Sequence, residues 1–262
     1  PKAQVGNPRP RIFRLKDDKA VINRLGFNNG GLERAALRLA ARLGQPGIVG
    51  ANVGANKDAD DRIADYEAGI RRLAPLAEYL TINISSPNTP GLRALQSRSS
   101  LETLLTRSIA ARGENKAPIF LKIAPDLTDE DKQDIEDVAL NSGVDGLIIS
   151  NTTIDRPGLL KSPNAQEAGG LSGAPLMAPS TAVLSDMYKR TKGQLPLIGV
   201  GGVASGRDAY AKIRAGACAV QLYTALIYQG PGLVKTIKQD LAYLLRRDGY
   251  RSVKDAIGAD HF

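Results

Sequence analysis

The densest group of side chains able to do chemistry lies between Leu80 and Arg93, which reads LTINISSPNTPGLR. Leu80, Ile82 and Ile84 alternate with Thr81 and Asn83, the period of a half-buried strand. The pattern then breaks, because Pro87 and Pro90 lack N–H donors while Asn88 and Gly91 supply turn chemistry. A buried strand therefore runs into a rigid loop bearing Asn83, Ser85, Ser86, Asn88 and Thr89. Parallel α/β proteins build their sites at this end of a strand. Taken alone, the stretch also reads as a polar turn that satisfies its own backbone.

Five other stretches carry chemistry. Lys122 interrupts the apolar run FLKIAP. A lysine there is costly unless it meets an anion or a ligand. It could form a Schiff base, hold an anionic cofactor ring, or snorkel outward. GVGGVASG from Gly199 leads into a helix, and QLYTA ends the next apolar run. Glycine loops opening onto helix N-termini offer bare N–H groups to a phosphate, so a phosphate site is expected here. GGLSG, Gly169 to Gly173, reads as a second glycine loop. VINRLGFNNGG, Val21 to Gly31, reads as a Gly/Asn-rich loop exposing Phe27, either as a lid or ligand contact or as ordinary packing.

Composition removes several function classes. One histidine, His261, and one cysteine, Cys218, leave no Ser–His–Asp triad, no His- or Cys-based metal site and no internal disulfide framework. A base must then come from Lys, Tyr, Asp, Glu, Ser or Thr. The net charge of +8 is spread over mixed-sign faces with little aromatic interleaving, which argues against nucleic acid. Attraction to an anionic lipid surface stays open. No apolar run has the length of a membrane span.

The elements that must position these groups follow a repeat. After an irregular, proline-containing N-terminal arm, a helix is expected from about Leu32 to Leu43, ended by Gly44. Six short apolar runs follow, at Gly47, Leu80, Ile119, Gly146, Leu195 and Ala219, most of them succeeded by a helical pattern. Ile63, Tyr66, Ile70 and Leu73 share one helical face, Thr128 is an N-cap with acidic residues behind it, and Ser205 caps another helix. Strands alternating with crossover helices mean a parallel sheet in one domain, residues 1–262. Polar residues follow nearly every strand, which suits the rim of a (β/α)8 TIM barrel better than the single switch point of an open sheet. About six of the eight strands are present.

In order along the chain, NRLGFNNGG, GANVGANK, NISSPNTPGLR, LKIAPDL, SNTT, GGLSG, GVGGVASG, QLYTAL and DAIGADH resemble dihydroorotate dehydrogenase, of the quinone-linked, membrane-associated class. The class rests mainly on Ser86, since the soluble class has cysteine at the matching base. The resemblance implies FMN-dependent oxidation of dihydroorotate to orotate in pyrimidine synthesis, with electrons passed to a membrane quinone. Ser86 would take the C5 proton while hydride leaves C6 for flavin N5. Asn23, Arg24, Leu25, Gly26, Phe27, Asn83, Asn88, Asn151 and Thr152 match substrate-binding positions. Asn52, Asn83, Lys122, Ser150, Gly173, Gly202, Tyr223 and Thr224 match flavin-binding positions. No metal is implied. Serine is a weak base and needs a relay, for which Thr89 is the candidate.

The family pattern also places a membrane-docking helical segment and two barrel strands ahead of Pro1. A barrel of six strands has two open edges, so the chain as given is expected to be unstable or inactive alone. The implied protein is a monomer on the cytoplasmic face of a bacterial inner membrane, with the mitochondrial inner membrane as the alternative.

Overall fold

The computed structural model describes residues 1–88, 95, 97–156, 158 and 160–262. In chain order the strands are β1 (Ile12–Leu15), β2 (Ala20–Asn23), β3 (Gly50–Val53), β4 (Tyr79–Asn83), β5 (Ile119–Ile123), β6 (Gly146–Ile149), β7 (Gly170–Gly173), β8 (Leu197–Val200) and β9 (Ala217–Gln221). Six of them form a parallel sheet in the order β3-β4-β5-β6-β8-β9. These are the six apolar runs expected from the sequence. The fold is mixed α/β of the TIM-barrel type with the barrel not closed: β3 and β9 are the sheet's outer strands among the described residues.

The connecting helices are α1 (Leu32–Ala40), α2 (Arg62–Leu73), α3 (Arg98–Arg112), α4 (Asp129–Ser142), α5 (Met177–Arg190) and α6 (Gly206–Arg214); α7 (Thr224–Gln229), α8 (Leu233–Arg247) and α9 (Val253–Ala256) close the chain. Their starts follow local chemistry. Thr128 and Asp131 form a capping box at α4, and Ser205 Oγ accepts from the Asp208 N–H at α6. Gly143 ends α4 in the left-handed conformation. On α2, Tyr66, Ile70 and Leu73 are buried as the periodicity predicts, and Ile63 packs at the margin. Helix α1 stops at Ala40, short of the expected Leu43, and the remaining residues run as turns to Gly44.

Parallel register gives the sheet two faces with different chemistry. Ala51, Leu80, Ile82, Leu121, Leu147 and Leu197 point toward the helices and form the main core with Tyr66, Leu101 and Leu105. The opposite face carries two register rows, Asn52–Thr81–Phe120–Gly146 and Asn83–Lys122–Ile148–Ile198. The polar groups singled out from the sequence therefore share the helix-free face.

A second sheet is the part the sequence reading missed. β1, β2 and β7 pair antiparallel in that order around Phe13, Leu15, Ala20, Ile22 and Leu171. The N-terminal arm is thus irregular only up to Ile12, the loop expected from Val21 begins as strand β2, and the GGLSG loop is strand β7. Glycine-rich GLSG has low strand propensity, and tertiary pairing overrides it. Gly170 is required by close approach: a Cβ there would lie 2.0 Å from Thr152 Oγ1. The small sheet lies across the C-terminal ends of the large one. Asn88, after β4, bonds Asn23; Thr153, after β6, bridges to Leu171; Thr224, after β9, bonds Ser172.

Candidate active site

A cavity of about 820 Å³ opens where the small sheet meets the strand ends. Lys122 from β5, Ser150, Asn151 and Thr152 after β6, Gly202 after β8, Tyr223 and Thr224 after β9, and Asn23 and Gly173 from the small sheet all line it. Six of the eight expected flavin contacts thus meet in one space, with three of the expected substrate contacts.

Next to the cavity lies a cluster of amides. Asn83 Oδ1 accepts from Ser85 Oγ at 3.1 Å and from Asn151 Nδ2 at 3.3 Å, and Asn151 Nδ2 also donates to Ser85 Oγ at 3.0 Å. Asn88 Nδ2 donates to Asn23 Oδ1 at 3.2 Å. The strand end beneath is anchored from the core, where Tyr66 Oη donates to the Asn83 carbonyl at 2.7 Å. Burial raises the Tyr66 pKa, so the phenol stays a donor. Ser86 is buried in the same loop, and its Oγ accepts from the Asn88 N–H at 3.3 Å. Thr89, the expected relay partner, lies outside the described residues.

Lys122 is the cation that the large sheet brings to the site. Burial pushes its pKa down, and its ammonium has no ion pair with a described residue to offset that. A partnerless ammonium beside a polar cavity is poised for an anionic or electron-rich ligand.

The opposite end of the cavity is built from backbone. The N–H groups of Gly202 and Val203 meet no protein acceptor among the described residues, and α7 begins at Thr224 with its own free donors. Gly202 has φ +77°, and a Cβ there would lie 2.4 Å from Met177 Cα. Only glycine fits, so the main chain itself faces the cavity. Thr224 Oγ1 donates to Ser172 Oγ at 2.9 Å. The Ala204 N–H is already taken by the Asp208 carboxylate at 3.0 Å.

Other expected residues sit elsewhere. Asn52 is exposed on the outer strand β3 and, with Phe27, lines a separate cavity of about 490 Å³ between β3 and α1. Arg24 turns away, bonding Glu167 at 2.7 Å and lying 4.6 Å from the Phe13 ring centroid, so it braces the loop. Leu25 and Gly26 form the turn between Asn23 and Phe27, the Leu25 carbonyl accepting from the Asn7 N–H. Conversely Lys16, Lys19, Ser172, Asp208 and Tyr228 line the main cavity without having been foreseen. Ser172 lay inside a motif already noted for its glycines, whereas nothing in KDDK marks Lys16 or Lys19. No cluster of metal-ligating side chains occurs among the described residues, and none of their helices is long and apolar enough to cross a membrane.

The family model described as dihydroorotate dehydrogenase matches residues 1–245. A protein of Parvibaculum lavamentivorans named dihydroorotate dehydrogenase (quinone) is 63% identical over 260 residues, covering 99% of this chain and 74% of that protein. One of the same name from Rhodospirillum rubrum is 57% identical over 265 residues, covering 100% of this chain and 72% of its own length. Among solved structures, DHODH from Eimeria tenella in complex with ferulenol superposes with TM-score 0.95 at 46% identity, covering 100% of this chain and 77% of that one. Its ligand-free form gives 0.96 at the same identity, with 80% of that chain covered. With that identity spanning nearly its whole length, the chain belongs to the dihydroorotate dehydrogenase family.

Proposed function

We propose that this chain is the FMN-binding barrel domain, residues 1–262, of an enzyme that oxidises dihydroorotate to orotate in pyrimidine synthesis and passes the electrons to a membrane quinone. The observation that carries the reading is the juxtaposition, in one cavity, of Lys122, the Asn23–Asn151–Thr152 edge and the bare N–H groups at Gly202 and Thr224. The residues fit FMN on physical grounds. A half-buried cation with no ion pair among the described residues suits an electron-rich ring, a loop where no Cβ fits suits a phosphate, and the cavity is of cofactor size. FMN, when bound, supplies the two-electron acceptor that takes hydride from substrate C6 at N5.

The chain's own residues do the rest. Asn23, Asn83, Asn88 and Asn151 offer amide donors and acceptors that match the two edges of dihydroorotate, and Thr152 adds a hydroxyl. Their mutual bonds hold the amides in place before substrate arrives. Ser86 is the base for the C5 proton, and burial in its loop keeps bulk water from competing. Lys122 stabilises negative charge developing beside it. Among the described residues the Asn88 N–H touches Ser86 Oγ; as a donor it favours the alkoxide character the base needs. Thr89 remains the proposed relay. The (quinone) names of the relatives support the electron acceptor, and the positive net charge suits a peripheral position on an anionic membrane face, cytoplasmic in a bacterium, as a monomer.

The test is an absorbance spectrum of the purified protein before and after anaerobic dihydroorotate. A flavin band that bleaches supports cofactor, substrate and reaction together. A band that does not bleach moves the substrate to another pyrimidine, and the absence of flavin in folded protein overturns the proposal.

A further inference from the structure

We propose that Lys212 is a positioning residue for phosphate: from beneath the Gly201–Gly202 loop it holds that loop through Ser180 and supplies a buried positive charge that makes this end of the cavity prefer a phosphorylated ligand. The inference rests on the cofactor reading above, whose phosphate end it deepens.

Lys212 is out of place for a lysine. It lies on the face of α6 that buries Ala209, Tyr210 and Ile213, and it is completely inaccessible to solvent. Long side chains on a helix point back toward its N-terminus. Here that direction leads up α6 to the loop that delivers the chain into it. Gly199 in β8 leaves room for the stem, since a Cβ there would lie 3.1 Å from Lys212 Cδ.

The ammonium donates to Ser180 Oγ at 2.6 Å. Ser180 is itself fully buried near the start of α5, and its single proton has three carbonyls in reach: Leu176 at 2.5 Å, Gly201 at 3.2 Å and Met177 at 3.3 Å. Because Lys212 fills the acceptor side of the hydroxyl, the serine proton is released toward these carbonyls. A Cβ at Gly201 would lie 2.7 Å from Ser180 Oγ, so the serine sits directly under the loop. A continuous path therefore runs from ammonium to hydroxyl to the glycine main chain.

Such an arrangement is a poor choice for stability alone. An ammonium with three donors that meets a neutral hydroxyl in a dry environment is penalised for its charge. Burial accordingly pulls the Lys212 pKa down to about 7, and the Asp208 carboxylate offsets only part of that. Asp208 is the charged group that reaches Lys212; α5 and β8 present Ser180 and Gly199, which are neutral. Asp208 also lines the cavity and accepts from the Ala204 N–H and from Ser205 Oγ, so it opposes an anion there. Lys212 counters that field, and a dianionic phosphate above the loop in turn favours its protonated form.

The experiment uses protein stripped of flavin and titrated with FMN and with riboflavin, which lacks the phosphate. Wild type is expected to prefer FMN. Lys212→Met is expected to weaken FMN binding at least about tenfold while riboflavin binding and the melting temperature of the stripped protein stay the same or rise. An unchanged FMN-to-riboflavin ratio in Lys212→Met overturns the proposal. If that variant does not fold, wild type decides: calorimetry at pH 8 in two buffers is expected to show proton uptake with FMN and none with riboflavin, and equal uptake overturns it. A wild type that binds both flavins equally instead overturns the phosphate-end reading itself.

Discussion

Asn83 and Lys122 are register partners across β4 and β5, so the amide and the ammonium leave neighbouring strands on the same face and at the same height of the sheet. Asn83 is already engaged by Ser85 and Asn151, whereas Lys122 has no ion pair among the described residues. Lys122 thus faces the cavity without an ion pair among the described residues, while Asn83 beside it is held in the adjoining amide cluster.

Replacing Lys122 separates folding from function. Lys122→Met is expected to leave stability unchanged or higher and to slow flavin reduction by dihydroorotate at least about a hundredfold, the scale of one lost electrostatic stabiliser. Anaerobic stopped-flow absorbance measures the rate, and urea unfolding the stability.

Ser86→Ala is expected to lower the same rate by about a hundredfold to ten-thousandfold, the range for a general base, with the flavin content of the purified protein unchanged. Among the described residues the hydroxyl accepts one bond, from the Asn88 N–H, so its loss removes a single contact. A flavin-loaded Ser86→Ala protein that reduces at the wild-type rate would remove Ser86 from the mechanism.

Tyr66→Phe deletes the hydrogen bond to the Asn83 carbonyl and leaves that acceptor buried without its donor. The expected cost is about 1–3 kcal/mol, read by urea unfolding. A rise in KM for dihydroorotate accompanies it, because the same bond fixes the strand end that carries the amide.

The pH dependence of stability follows from two lysines, Lys122, half-buried, and Lys212, fully buried. Both have folded-state pKa values below the ordinary lysine value of 10.5, and that of Lys212 is about 7. The unfolded chain therefore binds more protons between the two values, and the stability of flavin-free protein rises with pH across that window. At and below the folded pKa the penalty is present in full. For Lys212 the window runs from about 7 to about 10.5, with a slope approaching about 1.4 kcal/mol per pH unit. Subtracting the Lys212→Met curve from that of wild type isolates it, and parallel curves would contradict it.

Much of this was legible in the sequence because parallel strands buried by helices are continuous apolar runs with sharp stops. GLIISN and LTINIS announce both the strand and the polar group that follows it. Lys122 was legible for the same reason, as a charge in a run that otherwise excludes charge. What stayed hidden depends on distant contacts. GGLSG becomes a strand only because β2 lies beside it, and the Arg24 side chain is drawn to Glu167, 143 residues further along the chain. Asn52 has the right residue type at the right strand end, but it stands on the outermost strand of the sheet, away from the main cavity. The sequence analysis did not single out Lys212, because nothing in DAYAKIR shows that Ser180 of a neighbouring helix receives its ammonium.

The small antiparallel sheet has a temporal consequence. Asn23 is held at the cavity by β2, whose partner β7 lies far along the chain; Ser172 bonds the Val21 carbonyl across 151 residues. Tyr228 extends the tie by donating to the Leu15 and Ala20 carbonyls. A chain emerging from the ribosome makes the β3–β4–β5 ladder from nearby segments long before it can close this loop. One wall of the pocket is thus completed only when synthesis is well past its midpoint, and ligand binding reports the last stages of maturation rather than the first.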